Sequence, residues 1–501
     1  MFNQPKGLIP AAIANMGERF GFYTMMAILV LFLMSKFGLS GEQAGLLYSI
    51  FYGAIYILAL VGGLIADRTK NYKGTIIAGL VIMSFGYLLL TMPSLIVNQW
   101  IALAALLIIA FGNGLFKGNL QALVGQLYDN EKYSKMRDSG FQLFYMFINI
   151  GAVFAPFAAT WIRNWFVQSQ GYGYDSDLPG LCWQFKNGTM SQEVFNGRYT
   201  ELASSVSGGA TPDMTMFAEN YLNAFNIGFH YAFSVAIIAM LISLVVFIIY
   251  KNGLPDKKAV SQTNVGSGMS KEEIRQDAKE IKQRILALFA VFGVVIFFWF
   301  SFHQNGLTLT MFAKDYTQLK IFGLDFTVEL FQSINPLIVV FLTPVVMAVF
   351  AYLAKRGKEP STPRKIGIGM GIAALAFVVM AVGSIGLPLY NDVIDMGGLS
   401  FDMRVTPLLL FATYFILTVA ELFISPLGLS FVSKVAPAHL QGLMQGCWLA
   451  ATAIGNFSLF LGAVMYENAS ISITWSVFVV VCAVSMIAMF SMVKWLERVA
   501  K

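Results

Sequence analysis

Long apolar stretches separated by short polar segments dominate the chain. A membrane-spanning helix needs about 20 mainly apolar residues, and that rule predicts about twelve such helices here. In the first half they lie near residues 8–36, 42–66, 74–93, 98–127, 139–162 and 222–250. In the second half they lie near residues 284–313, 328–354, 364–389, 405–433, 440–466 and 470–495. The pattern therefore predicts an all-α integral membrane protein with an amino-terminal six-helix bundle (1–250) and a carboxy-terminal one (284–501).

One long polar stretch interrupts the first bundle. Residues 163–221 are rich in Gly, Ser, Asn and Asp and show no apolar period. We expect an external insertion, and the composition favours a decorated loop over a small lid.

A second polar stretch, residues 251–283, is predicted to be a cytoplasmic linker between the bundles. Ser270 and Glu273 have the spacing of a capping box ahead of a charged helix from Lys271 to Arg284. We expect this helix to lie along the membrane surface or to bridge the two halves.

The distribution of basic residues predicts the orientation of the helices. Most of the 33 lysines and arginines fall in loops that are cytoplasmic when both termini are inside. The basic residues that this topology places outside are Lys36, Arg163, Lys186, Arg198, Lys314, Lys320 and Arg404. The apolar run that begins at Leu8 lacks the cleavage site of a signal peptide, so we interpret it as the first span. The predicted topology is N-in and C-in.

Composition supports a lipid-facing surface and excludes other classes of protein. Charged residues make up 12% of the chain, against about 25% in soluble globular proteins. The net charge of +6 does not indicate nucleic-acid binding, because the basic residues lie in short runs between apolar stretches. Cys182, Cys447 and Cys482 lack disulfide or metal-ligand spacing. Without a nucleophile–base arrangement or a phosphate-binding loop in the sequence, we expect neither an enzyme nor a cofactor.

Four firmly charged residues fall well inside predicted spans: Glu18, Arg19, Lys117 and Glu421. Each costs at least about 2.5–3.5 kcal/mol on insertion scales. Adjacent side chains on a helix point in different directions, so we expect Glu18 and Arg19 to reach different partners, with Lys117 as a partner for Glu18. Buried pairs that only fix helix packing stabilise a fold poorly. The charges therefore favour a polar cavity at the midplane, where secondary transporters bind substrate.

Polar and aromatic residues accompany these charges. On the first helix, Asn15, Glu18 or Arg19, Phe22 or Tyr23, and Met26 recur every three to four residues and so share a face. Other spans contribute Tyr56, Asn149, Asn335 and Trp448. Each of them taken alone is also compatible with ordinary packing.

Several segments resemble a known family. Residues 63–68 resemble the loop motif of the major facilitator superfamily. Residues 112–117 (GNGLFK) and 144–151 (FYMFINIG) are similar to the fourth- and fifth-helix signatures of proton-coupled oligopeptide transporters. Residues 18–20 (ERF) and 421–426 (ELFISP) resemble that family's first- and tenth-helix motifs. Since the matches follow in order through both halves, the chain is identified as a divergent member of this family.

The resemblance implies a fold, a function and a set of site residues. It implies the major facilitator fold and inward symport of di- and tripeptides or peptide-like compounds, with the proton as coupling ion and no cofactor. It also implies a monomer in a bacterial cytoplasmic membrane. The candidate proton-coupling residues are Glu18, Arg19, Lys117, His303 and Glu421. The candidate substrate-binding residues are Asn15, Tyr23, Met26, Tyr56, Lys117, Asn149, His303, Asn335, Glu421 and Trp448.

Three positions depart from the family pattern. Asn15 replaces the first acidic residue of the first-helix motif, Met26 stands where a second arginine is common, and His303 stands where its acidic partner is usual. The pocket for a peptide carboxylate is then weaker by one arginine, which leaves a non-peptide or modified-peptide solute as an alternative cargo. A membrane sensor that binds without transporting is a further alternative.

His303 admits two interpretations. An imidazole titrates near pH 6.5, so this residue could relay protons. It could equally be a neutral, hydrogen-bonded histidine among Phe298, Phe300 and Phe302.

Overall fold

A computed structural model of the protein describes residues 4–128, 131–133, 137–209, 212–255, 271–321, 324–437 and 441–499. Within these residues, 12 helices are long and apolar enough to cross a membrane. The predicted all-α membrane fold is therefore confirmed.

The amino-terminal half is built from long helices and one helical insertion. Its first five helices are α1 (Leu8–Phe37), α2 (Gly41–Thr69), α3 (Tyr72–Leu90), α4 (Gln99–Gln126) and α5 (Arg137–Ser169). The insertion holds α6 (Leu178–Lys186), α7 (Gln192–Val194), a π-helical turn (Phe195–Tyr199) and α8 (Thr200–Val206), and α9 (Met214–Tyr250) completes the half.

The carboxy-terminal half follows a short 3₁₀ turn, Lys251–Gly253. Its first elements are α10 (Lys271–Phe302), a 3₁₀ turn (His303–Gly306), α11 (Thr308–Tyr316), β1 (Lys320–Ile321), β2 (Leu324–Asp325), a 3₁₀ turn (Val328–Ser333) and α12 (Ile334–Lys355). The remaining elements are α13 (Thr362–Gly383), α14 (Tyr390–Asp395), a 3₁₀ turn (Phe401–Met403), α15 (Leu408–Val435), α16 (Gln441–Phe457), α17 (Phe460–Asn468) and α18 (Ile471–Val499). The two strands pair in antiparallel register, Lys320 with Asp325.

Local sequence signals set several helix starts and ends. Ser40 begins α2 with a capping box, in which its hydroxyl accepts a bond from the Gln43 N–H and the Gln43 side chain accepts one from the Ser40 N–H. Asn71 and Asn98 cap α3 and α4 in a related way. Gly38 ends α1 with a φ of 64°, a left-handed conformation that glycine adopts without steric cost. These signals lie between the spans, so they define the short turns that hold neighbouring helices antiparallel.

The two halves meet along a small number of helices. In the first half α1 packs against α5 and α9, and α2 packs against α4. In the second half α13 packs against α15 and α18. Across the interface, α2 contacts α16 and α17, and α5 contacts α12. Further contacts across the interface join α1 and α5 to the 3₁₀ turn Val328–Ser333.

The expectation that residues 163–221 form a decorated loop is wrong. We call residues 172–209 the external cap, because they fold into α6, α7, α8 and the π-helical turn. Leu178, Cys182 and Tyr199 are fully buried in it, and burial raises the pKa of the Cys182 thiol to about 12. The apolar residues that form this small core are spaced over short helices, so a search for membrane-length periodicity misses them. The three cysteines are free thiols.

The expectation of a separate linker helix is also wrong. A helix does begin at Lys271, but it runs without a break to Phe302 as α10. Since no proline lies between Lys271 and Phe302, and the glycine in this range, Gly293, lies inside the apolar run, nothing in the sequence ends the charged helix before the membrane. Ser270, the predicted cap, lies outside the described residues.

Candidate substrate and proton site

Glu18 and Arg19 pair with each other. Arg19 Nε lies 2.6 Å from Glu18 Oε2, and Arg19 Nη2 lies 2.9 Å from Glu18 Oε1, so the pair is bidentate and buried. The expectation that the two side chains reach different partners is therefore wrong. The guanidinium sits at the end of a flexible chain that can bend back toward the neighbouring residue, and charges away from water gain strongly from bidentate pairing.

Asn113 on α4 completes the shell of Glu18. Its Nδ2 donates to Glu18 Oε1 at 2.6 Å. Asn15, the residue that departs from the first-helix motif, is buried, and its Nδ2 has no partner among the described residues. The sequence offered a signal for Asn113, since it lies one helical turn before Lys117 and on the same face. Asn113 lies within the motif at residues 112–117, but the motif by itself predicts no role for it.

Lys117 does not pair with Glu18, contrary to expectation. Its Nζ lies 4.7 Å from the centroid of the Tyr56 ring, a cation–π distance. Lys117 is half-buried and makes no ion pair within the described residues. The carboxylate of Glu18 is already saturated by Arg19 and Asn113, which explains the missing pair. Lys117 is therefore a cation without an ion-pair partner in the described part of the chain.

Glu421 on α15 is the opposite charge in the second half. Asn335 Nδ2 donates to Glu421 Oε2 at 2.9 Å and to Thr418 Oγ1 at 2.9 Å. Glu421 is half-buried and has no ion-pair partner in the described part of the chain. Its carboxylate is therefore oriented by neutral groups alone.

Tyrosines lie between the Glu18–Arg19 pair of the first half and Glu421 of the second half. The hydroxyls of Tyr23 and Tyr56 lie within electrostatic range of both Arg19 and Glu421. Both tyrosines are half-buried, as is Asn335. Asn149 Nδ2 donates to the Tyr145 carbonyl at 3.0 Å, and it is buried beside the exposed Tyr145 ring. Partly exposed polar groups in the middle of spans require a polar cavity rather than lipid around them.

His303 lies at the 3₁₀ turn between α10 and α11. Its Nδ1 is 2.5 Å from Asn456 Oδ1. Its ring stacks on Trp299 and lies against Tyr52, both with centroids 4.8 Å away. This geometry favours the neutral, hydrogen-bonded interpretation, although of the phenylalanines named only Phe302 contacts the ring.

Two candidate residues are not brought to the cavity. Met26 is buried within the first half. Trp448 is buried as well, packs edge-on against Phe292 with centroids 6.2 Å apart, and lies directly against Gly428. In this conformation both are packing residues.

Tyr52 is a site residue that sequence reasoning missed. Three tyrosine rings follow one another along α2: the Tyr48 and Tyr52 centroids lie 5.6 Å apart, and the Tyr52 and Tyr56 centroids lie 5.9 Å apart. The Tyr52 ring also contacts the His303 ring. The signal was the spacing of four residues, which places side chains on one helix face.

Arg163 and Glu329 were also missed. The sequence predicts that the fifth span ends at residue 162, which places Arg163 in an external loop. In the structure α5 continues to Ser169, and the Arg163 guanidinium is fully buried against the carboxylate of Glu329 in the other half. Trp165, Phe166 and Val167 extend the apolar pattern past Arg163, which is the signal that could have revealed it.

Comparison with known proteins supports the family resemblance found in the sequence motifs. A family model described as PTR2, POT family, matches residues 73–185 and 250–479. The peptide transporter YePEPT of Yersinia enterocolitica subsp. palearctica serotype O:3 is 29% identical over 482 residues, covering 91% of this chain and 87% of that protein. Dipeptide and tripeptide permease B of Aliivibrio fischeri is 28% identical over 455 residues, covering 90% and 84%.

Solved structures agree on the fold. The crystal structure of a peptide transporter POT in complex with sulfate superposes with a TM-score of 0.73 at 22% identity, covering 100% of this chain and 96% of that one. A POT family transporter in complex with 5-aminolevulinic acid gives a TM-score of 0.73 at 20% identity, covering 100% and 98%. The chain belongs to the POT family, and it is a multi-pass membrane transporter rather than an enzyme.

Proposed function

We propose that this transporter imports di- and tripeptides or peptide-like compounds together with protons, by alternating access of its two halves. The observation that carries this proposal is the pair of uncompensated charges in the cavity, Lys117 on the first half and Glu421 on the second. Charges in a membrane interior need partners, and a zwitterionic peptide supplies a carboxylate for one and an ammonium for the other. The names of the two relatives, a peptide transporter and a dipeptide and tripeptide permease, support the same substrate class.

Glu421 is the stronger of the two candidate proton sites. Among the described residues, the neutral amide of Asn335 is what hydrogen-bonds its carboxylate, so Glu421 can hold either a substrate ammonium or a proton. Glu18 accepts three hydrogen bonds from Arg19 and Asn113, so protonation there requires Arg19 to move away. Coupling then follows if a proton and a substrate ammonium both neutralise Glu421 at different stages of the cycle.

The setting of this function is also a proposal. The predicted N-in topology and the bacterial relatives support a bacterial cytoplasmic membrane, and we expect a monomer without a cofactor. Within the described residues, His, Cys, Asp and Glu side chains do not cluster in a way that could hold a metal ion.

Uptake in proteoliposomes tests the proposal. With an imposed inward proton gradient, we expect accumulation of di-alanine and tri-alanine that a protonophore abolishes. Arg364→Ala, which removes a partly exposed ion pair with Glu497 away from the cavity, is the matched control and should transport normally. Absence of accumulation by folded, inserted wild-type protein would contradict the proposal.

A modified or non-peptide cargo is the second candidate. The observation in its favour is that Met26 and His303 stand where the family commonly has an arginine and an acidic residue, and both side chains are buried. Met26→Arg combined with His303→Glu should then increase di-alanine uptake. Unchanged di-alanine uptake in the double variant would count against this candidate.

A further inference from the structure

A buried ion pair joins the two halves at the end that the charge distribution places outside. Arg163 lies in the last turns of α5, and Glu329 lies in the 3₁₀ turn ahead of α12. Arg163 Nη1 contacts Glu329 Oε1, and both side chains are 0% exposed. The pair therefore spans the interface between the bundles rather than stabilising one of them.

The first half holds the guanidinium in place from several sides. Arg163 Cζ lies 4.4 Å from the ring centroid of Tyr174 in the external cap, and 5.4 and 5.2 Å from those of Phe225 and Phe229 on α9. Its Nε and Nη2 both donate to Asn164 Oδ1 at 3.0 Å. A cation surrounded by ring faces and one amide is fixed in position, but within the described residues its ion pair comes from the other half.

Glu329 depends on this contact for its charge balance. Its second oxygen, Oε2, is buried without a hydrogen-bond partner among the described residues. Removal of one member of such a pair leaves an uncompensated buried charge, which is far more costly than replacing both members by neutral groups. Opening the interface would admit water to both ions, so separation and hydration occur together.

Other contacts across the halves lie at the same end. Ser333 Oγ donates to the Val153 carbonyl at 2.9 Å, and the Gly41 N–H donates to Glu467 Oε1 at 2.5 Å. Above them, Arg404 of the second half contacts Asp177 of the external cap. These bonds close the outer end in the present conformation.

We propose that Arg163 and Glu329 are the outer gate residues of the transport cycle. Their ion pair holds the halves together while the outer end is closed, and it separates when the site opens outward. This inference rests on the alternating access in the proposed function but not on the identity of the cargo. It also assigns the external cap a role, because Tyr174 positions the gate arginine.

Cysteine labelling tests the gate without any substrate. Ser333→Cys is the reporter, since Ser333 is 4% exposed and follows Glu329 by one turn. The parent carries this reporter with the three native cysteines replaced by serine, and a membrane-impermeant maleimide is added outside intact cells. We expect Glu329→Gln and Arg163→Met, each alone, to raise the labelling rate at least about tenfold. The double variant Arg163→Met/Glu329→Gln should return it close to the parent rate, because no unpaired charge remains.

A matched pair of variants controls for general loosening of the fold. Arg364→Met and Glu497→Gln disrupt an ion pair with 53% and 25% exposed side chains within the second half, and should leave the labelling rate unchanged. If a single gate variant fails to insert into the membrane, Arg163→Lys replaces it in the test. This variant keeps the positive charge and should give a labelling rate between that of the parent and that of a single gate variant. Parent-like labelling in the folded single variants would overturn the gate, as would a double variant labelled as fast as the single ones. Failure of peptide uptake with gating intact would count against the proposed cargo alone.

Discussion

The outer end and the central cavity carry charge in opposite ways. At the outer end, Arg163 pairs with Glu329 across the halves, and Arg404 contacts Asp177 of the external cap. In the cavity, Lys117 and Glu421 make no ion pair within the described residues. Separating a buried ion pair while either charge stays buried is costly, whereas an unpaired charge favours binding of a complementary ligand. This contrast is what the proposed outer gate and the proposed binding site each require.

A third arrangement lies between these two. Glu18 and Arg19 pair on the same helix and are joined by Asn113 from α4, all within the first half. This cluster neither spans the interface nor leaves a charge free. It is suited to positioning Tyr23, which lies within electrostatic range of both Arg19 and Glu421.

The largest expected effect comes from removing the free cation of the cavity. Lys117→Ala should lower di-alanine uptake by about tenfold to a hundredfold, because a charged hydrogen bond to the substrate carboxylate is worth about 1.5–3 kcal/mol. The matched control is Lys132→Ala, whose ammonium lies 5.0 Å from the Tyr133 ring on the cytoplasmic side. Equal uptake by the two variants would contradict a special role for the cavity cation Lys117 relative to the surface cation Lys132.

The next effect concerns the free carboxylate. Glu421→Gln keeps an acceptor for Asn335 but removes the charge, so uptake should fall about tenfold and the remainder should no longer respond to the proton gradient. Thr418→Ser, which keeps the hydroxyl that Asn335 bonds, is the control. Residual uptake of the glutamine variant that still rises with the gradient would place the proton site elsewhere.

A further effect is expected in the positioning cluster, on stability rather than on uptake. Asn113→Ala removes one donor from Glu18 while the Arg19 pair remains, which should destabilise the protein by about 1.5–3 kcal/mol. Thermal unfolding in detergent measures this loss, with the exposed Asn468→Ala as control. An unchanged Tm would mean that Asn113 does not contribute to the cluster.

The smallest effect tests a place where the outer end brings like charges together. Burial and the neighbouring charge of Asp177 raise the pKa of Asp175. A carboxylate with a raised folded-state pKa costs stability above its ordinary pKa, and this cost disappears at lower pH where folded and unfolded states are both protonated. Asp175→Asn should therefore raise the Tm by about 1–2 °C at neutral pH and by less near pH 4. A Tm difference independent of pH would contradict this origin.

The sequence predicts the fold well because lipid imposes a simple rule. The run from Leu8 was expected to end at residue 36 and ends at Phe37, since about 20 apolar residues are required whatever the partners are. Elements outside the membrane do not follow that rule. The external cap and the extension of α10 to Lys271 depend on short-range packing and on the absence of a helix breaker, which hydropathy does not report.

The candidate site was found in part for a related reason. Lys117 and Glu421 stand out because a charge in an apolar run is costly. Their partners were harder to predict, since the pairing of Glu18 with Arg19 depends on side-chain conformation rather than on helix position. Arg163 was missed because it lies near a span end, where a charge has an ordinary explanation, and Glu329 lies far away in sequence.

The central claim is that Lys117 and Glu421 hold the two ends of a peptide. The most direct measurement is the binding of di-alanine, its C-terminal amide and its N-acetyl derivative to wild type, Lys117→Ala and Glu421→Gln, by calorimetry in detergent. Amidation should weaken binding to wild type but not to Lys117→Ala, and acetylation should weaken binding to wild type but not to Glu421→Gln. If each modification weakens binding equally in wild type and in its matching variant, the two charges do not recognise the peptide termini.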